Sequence, residues 1–111
     1  MSTIFKEIIE GKLPAEKVFE NDNIIAIKDK YPIASVHLLI MPKKEISSIQ
    51  QMKKEDLPLL GEIVEVAQEL AKKFDIAEGY RLLTNNGPDS GQTIFHLHFH
   101  LIGGRKLGKM G

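Results

Sequence analysis

Gly91-Gln92-Thr93-Ile94-Phe95-His96-Leu97-His98-Phe99-His100-Leu101-Ile102-Gly103-Gly104 is the stretch whose reading decides the fold. From His96 to His100 every second residue is histidine, while Phe95, Leu97, Phe99 and Leu101 fill the alternate places. Side chains two apart on a strand point to the same face. A helix would scatter the same histidines around most of its circumference. The spacing predicts a strand, with three imidazoles on one face and four large apolar side chains entering a core from the other.

Three of the chain's four histidines therefore fall in one predicted strand. An unshifted imidazole titrates at about 6.5, and three side by side repel one another when protonated. Such a cluster suits proton transfer, attack on an electrophile, anion binding or metal ligation. The plain alternative is a half-buried strand whose polar face happens to be rich in histidine.

Working outward, the chain of 111 residues has the length of a single domain, expected over residues 1–111. Apolar content of 42% and charged content of 27% suit a soluble globular protein. The formal net charge of +0 argues against a dedicated nucleic-acid or anionic-membrane surface. Without cysteine, disulfides and thiolate metal sites are excluded. No long apolar run suggests a signal peptide or a membrane span, so a cytoplasmic location is expected.

Ser2 or Thr3 can cap a short helix with an Ile4-Phe5-Ile8-Ile9 stripe, ended by Gly11. Val18–Glu20 and Ile24–Ile27 flank an Asn21-Asp22-Asn23 turn and predict a hairpin. Val36–Met41 reads as a central strand closed by Pro42, with Lys43, Lys44 and Glu45 facing solvent. Asp56 is the expected cap of a long helix, in which Leu59, Leu60, Ile63, Val66, Ala67, Leu70 and Ala71 recur as a core stripe as far as Phe74. Tyr80–Thr84 is a further strand and residues 85–91 are dense in turn formers, while a basic tail, Lys106–Gly111, should be loosely held unless a partner subunit covers it. Five strands and two helices in this order predict an α+β fold with a mainly antiparallel sheet.

Neutral histidine is a competent nucleophile and general base near pH 7. His98 has an imidazole neighbour on either side, and His37, on a separate strand, can close the cluster. Gln92, Thr93 and the glycine-containing turn offer an amide, a hydroxyl and backbone N–H groups for phosphate oxygens. Metal is the chemical rival, since histidines two apart on a strand can share an ion. Sensitivity to a chelator would separate the two.

The run His96-Leu97-His98-Phe99-His100-Leu101-Ile102, preceded by Gly91-Gln92-Thr93 and followed by Gly103-Gly104-Arg105, resembles the histidine triad family and, within it, the purine nucleoside phosphoramidase branch. Ile8 to Gly11, Pro14-Ala15, Asp29 to Pro32, Ala34 to His37 and Ile40 to Lys44 look like this branch in the same order, so the likeness runs from about Ile4 to Arg105. The resemblance implies a homodimer with the sheet continued across it, and cleavage of AMP-amine-type phosphoramidates through a nucleotidyl-histidine intermediate. It implies His98 as nucleophile, His100 on the phosphate and leaving group, His96 orienting its neighbours and His37 completing the cluster. Asp29, beside Lys30, matches the acidic residue that binds ribose hydroxyls. Asn85, Gly91, Gln92 and Thr93 match groups around the phosphate, and Phe5, Ile8 and Ile27 part of the base pocket.

No metal or other cofactor is expected on this route. Some relatives carry a cysteine-and-histidine zinc site, but Glu45 stands where a histidine often follows the two lysines, and no cysteine is present. Ile102 stands where the diadenosine polyphosphate hydrolase branch usually has glutamine, which favours phosphoramidase-like use. Polyphosphate hydrolysis, nucleotidyl transfer and a non-catalytic nucleotide-binding regulatory dimer are the alternatives.

Overall fold

The computed structural model describes residues 2–110; Met1 and Gly111, the last residue of the basic tail, lie outside it. Helix α1 (Ile4–Ile9) is capped by Thr3, whose Oγ1 accepts the Lys6 N–H at 3.0 Å. Strands β1 (Lys17–Glu20) and β2 (Ile24–Lys28) form the expected hairpin. Its turn is held by Asn21 Oδ1, which accepts the N–H groups of Asn23 and Ile24. Strand β3 (Val36–Pro42) follows, then helix α2 (Pro58–Lys73), strand β4 (Tyr80–Leu83) and strand β5 (Phe99–Gly103).

The sheet order is β1-β2-β3-β5-β4, and every pairing is antiparallel. Strand β3 is therefore paired on both sides, and all seven of its residues are buried. Alternation then sorts its side chains. Val36, Leu38 and Ile40 meet Ile63, Val66, Ala67, Leu70 and Ala71 of α2, together with Ile24, Ala26 and Leu101. On the opposite face Leu39 and Met41 join Ile25, Ile27 and the α1 residues Phe5 and Ile8. One face is thus closed by a long helix, and the other only partly by a short one. His37 and His100 belong to the second face.

Two expectations need correction. The strand does not run through His96; β5 begins at Phe99. Pro42 has no N–H to continue a ladder beyond the Ile40–Phe99 pair. The preceding segment is pinned differently, with the Leu97 N–H donating to the Ile46 carbonyl at 2.7 Å. Phe95, expected in the core, is 47% exposed as a result. Asp56 likewise does not cap α2, whose first turn has no side-chain cap. It sits in a short 3-10 turn, where its buried carboxylate accepts the Lys53 N–H and the Lys44 ammonium.

After β3, Lys44 and Glu45 are exposed as expected and Lys43 is half-buried. Lys43 pairs with Glu20 at 2.8 Å and Glu45 with Lys6 at 3.1 Å. At the other end of the chain, Arg81 on β4 holds the tail through the Gly108 carbonyl at 2.8 Å.

Because β3 bears on both layers, truncating Ile40, which is fully buried against α2, is expected to cost about 2–5 kcal/mol. Equilibrium denaturation of Ile40→Ala measures this, and a loss within error of zero would contradict the layer assignment.

Candidate active site

The first turn of α1 and the ends of β3 and β5 meet at one place. In β5, His100 stands opposite Leu39, and in β3, His37 stands opposite Ile102. Their rings are 5.1 Å apart between centroids, and His98 lies 5.2 Å beyond His100. Phe5 presents its ring edge-on to His98 at 4.8 Å. Asp29, just after β2, brings Oδ2 to 3.2 Å from His37 Nε2. Asp29, His37, His98, His100 and Phe5 are thus gathered as expected. His96 is not part of the ring row. It is 1% exposed, lies across Phe5 at 6.5 Å and donates from Nε2 to the Pro42 carbonyl at 2.8 Å.

The proton positions follow from the partners. A carbonyl oxygen only accepts, so His98 Nδ1, 2.7 Å from the His96 carbonyl, must carry the proton. In the neutral ring Nε2 is then a free lone pair. His37 Nδ1 accepts the Ile33 N–H at 3.2 Å, which places the His37 proton on Nε2. That proton faces His100 Nδ1 at 2.9 Å, with Asp29 Oδ2 as a second acceptor. His100, accepting at Nδ1, holds its own proton on Nε2. His96 follows the same logic, and its buried Nδ1 has no partner among the described residues.

All four rings are held neutral. Burial is the main cause for each and pushes its pKa below the usual histidine value. For His98 the proximity of His96 adds to this, while its bond to the His96 carbonyl and the charge of Asp29 oppose it. His100 is lowered furthest, to about 4, by burial and then by His98 and His37, against the pull of Asp29.

Asp29 Oδ2, His37 Nε2 and His100 Nδ1 lie within 4.8 Å of one another, close enough to enclose an ion. The hydrogen bonds oppose that use. A metal needs the His37 Nε2 lone pair, so the ring proton would move to Nδ1 and face the Ile33 N–H, donor against donor. The zinc site known in some relatives does not fit either, because Glu45 is already paired with the Lys6 ammonium.

The remaining expected residues divide. Ile8 and Ile27 pack with Phe5 in the cluster beneath α1. Lys30, Gly91 and Thr93 are exposed and Asn85 is half-buried; none takes part in the bonds that join Asp29, His37 and His100. Gln92 is 4% exposed and its amide is fully committed. Its Oε1 accepts the Gly87 N–H, and its Nε2 donates to the carbonyls of Ser47 and Ile94. Its side chain therefore builds the loop before the histidines rather than reaching out from it. A cavity of about 310 Å³ is lined by residues 44–47, Gln51, Lys53, Asp56 and Phe95 and by none of the histidines. Sequence reading missed Ile33, whose contribution is a backbone N–H and leaves no side-chain signal.

An antiparallel α+β sheet carrying three neighbouring imidazoles beside a carboxylate defines the class. Compared with known proteins, residues 2–110 match the family model described as scavenger mRNA decapping enzyme C-term binding. A HIT-like protein of Chlamydia pneumoniae is 55% identical over 106 residues, covering 96% of each chain. A HIT family hydrolase from Legionella pneumophila superposes with a TM-score of 0.94 at 42% identity, covering 96% of each chain. A histidine triad nucleotide-binding protein from Candida albicans does so with a TM-score of 0.82 at 29% identity, over 99% of this chain and 86% of that one. The chain belongs to the histidine triad (HIT) family.

Lowered histidine pKa values tie stability to acid. The unfolded rings take up protons at about 6.5 and the folded ones only at lower pH, so stability is full above 6.5 and falls as pH drops towards 4. His100 alone accounts for something on the order of 3 kcal/mol. Glu20 and Asp56, lowered chiefly by hydrogen bonds from Lys43 and Lys44 respectively, release their share below the ordinary carboxylate range. Denaturation midpoints should therefore decline between pH 6.5 and 4, with a shallower decline in His100→Asn. A flat profile would refute the buried neutral cluster.

Proposed function

We propose that the protein is a hydrolase of purine nucleoside 5′-phosphoramidates, acting through a nucleotidyl-His98 intermediate. The observation that carries this reading is the His98 Nδ1–H bond to the His96 carbonyl, which leaves Nε2 unprotonated. Nε2 attacks the α-phosphorus, and the phosphorus–nitrogen bond to the amine breaks. The retained Nδ1 proton leaves the nucleotidyl-imidazole cationic and labile, stabilised by the same carbonyl. Water then attacks phosphorus, releasing the nucleoside monophosphate and free His98.

The departing amine needs a proton, and His100 Nε2–H supplies it. A bound phosphate offsets what burial removes, because its negative charge raises the pKa of the adjacent ring. Asp29 takes the ribose hydroxyls, with Lys30 at the rim. The base lies against Phe5, Ile8 and Ile27, and the Gly91–Thr93 turn and Asn85 flank the phosphate and leaving group. The hydrolase and nucleotide-binding descriptions of the Legionella and Candida relatives agree with this reading. No metal is required, and a homodimer continues the sheet at one of its edge strands, β1 or β4.

The test is hydrolysis of adenosine 5′-phosphoramidate in excess chelator. Wild-type turnover should persist, His98→Ala should lose at least about a thousandfold, and His100→Ala about a hundredfold. AMP binding without turnover in the wild type would reject the hydrolase in favour of a nucleotide-binding regulator. Turnover that returns only with added metal would make the histidines ligands.

A further inference from the structure

The bond that sets the His37 proton comes from a loop that is itself held from outside the site. Ile33 lies in the segment between β2 and β3 and is largely exposed. Its carbonyl accepts two bonds from one side chain, Arg105 Nε at 3.3 Å and Nη2 at 3.1 Å. Arg105 follows β5 directly after Gly104, and its Nη1 is braced on the Lys106 carbonyl at 3.0 Å. Gly104 adopts φ +100°, and a Cβ there would fall 1.9 Å from Ser35 Oγ. The end of β5 thus presses closely on the same loop.

The geometry points to Arg105 as a positioning residue that sets the ring tautomers of the histidine cluster. By gripping the Ile33 carbonyl from solvent, Arg105 holds the loop at Ile33 in place, and with it the neighbouring peptide unit whose Ile33 N–H donates to His37 Nδ1. That donor keeps the His37 proton on Nε2, where it meets His100 Nδ1, and so keeps the His100 proton on Nε2. When the Ile33 N–H turns away, nothing at His37 Nδ1 selects between tautomers. The Asp29 carboxylate, with Oδ2 3.2 Å from His37 Nε2, still draws a proton to that nitrogen, so the reversed ring is the smaller part of the mixture. With His37 reversed, His100 Nδ1 takes a proton and Nε2 becomes a lone pair, the wrong form to protonate a leaving group.

The kinetic part of this inference rests on the phosphoramidase reading; the tautomer part does not. Long-range ¹H–¹⁵N correlation spectra of the histidine rings, recorded without substrate on the full chain, report directly which nitrogen carries each proton. Wild type should show His37 and His100 as Nε2–H forms. Arg105→Met, which keeps the stem and removes all donors, should show a mixture at both rings, and Arg105→Lys, with one donor cluster in place of the fork, a smaller admixture. The guanidinium is exposed, so neither substitution leaves a cavity. Turnover of adenosine 5′-phosphoramidate should fall in Arg105→Met in proportion to the reversed fraction, up to about twofold, with KM unchanged, and partly recover in Arg105→Lys. Unchanged ring tautomers in Arg105→Met would overturn the proposal, whatever happens to stability. Shifted tautomers in a protein whose wild type does not turn over would uphold it while rejecting the phosphoramidase.

Discussion

The register of β3 against β5 is the constraint on which the site depends. Leu39 opposite His100 and His37 opposite Ile102 place both imidazoles on the face that α1 covers only in part. A slip of one residue would turn one strand over relative to the other. With β3 turned over, His37 would face α2 and Leu38 would enter the site beside His100. The full burial of β3 makes such a slip costly, since Val36, Leu38 and Ile40 would leave their contacts with Ile63, Val66 and Leu70 together. The histidine geometry is therefore set by the hydrophobic layer beneath it.

Within that frame, three of the four rings take a backbone partner, and His100 takes His37. His98 gives its proton to the His96 carbonyl, His96 to the Pro42 carbonyl, and His37 receives the Ile33 N–H. Peptide groups cannot titrate, so the pattern of donors and lone pairs holds across the pH range in which the rings stay neutral. Burial then widens that range on the acid side, most of all at His100. Asp29 is the one charged group beside His37, and its Oδ2 shares the His37 Nε2 proton with His100.

Much of this was legible because the histidine run has a chemical and a geometric signature at once. Period two announced a strand face, and Val36–Met41, Ile24–Ile27 and the α2 stripe announced their layers. What was not legible depends on atoms distant in sequence. Where β5 begins is decided by the missing N–H of Pro42 and by the Ile46 carbonyl that takes the Leu97 N–H, so Phe95 left the core although its alternation was right. Gln92 resembles a phosphate-facing amide in one dimension, but three backbone groups at Ser47, Gly87 and Ile94 claim it in three. Asp56 stands where a cap should be, yet the buried carboxylate is claimed by Lys44 and the Lys53 N–H.

The same tautomer argument bears on the choice between proton chemistry and metal chemistry. Spacing alone leaves both open, and the close approach of Asp29, His37 and His100 would suit either. The discriminating atom is His37 Nδ1. A donor aimed at it makes Nε2 the proton carrier, and a proton carrier flanked by an imidazole lone pair and a carboxylate oxygen is already coordinatively satisfied. An ion would have to displace that proton, reverse the ring and leave the Ile33 N–H facing another donor. Proton transfer at His100 Nε2 needs none of these changes, because the His37 Nε2–H already faces the His100 Nδ1 lone pair.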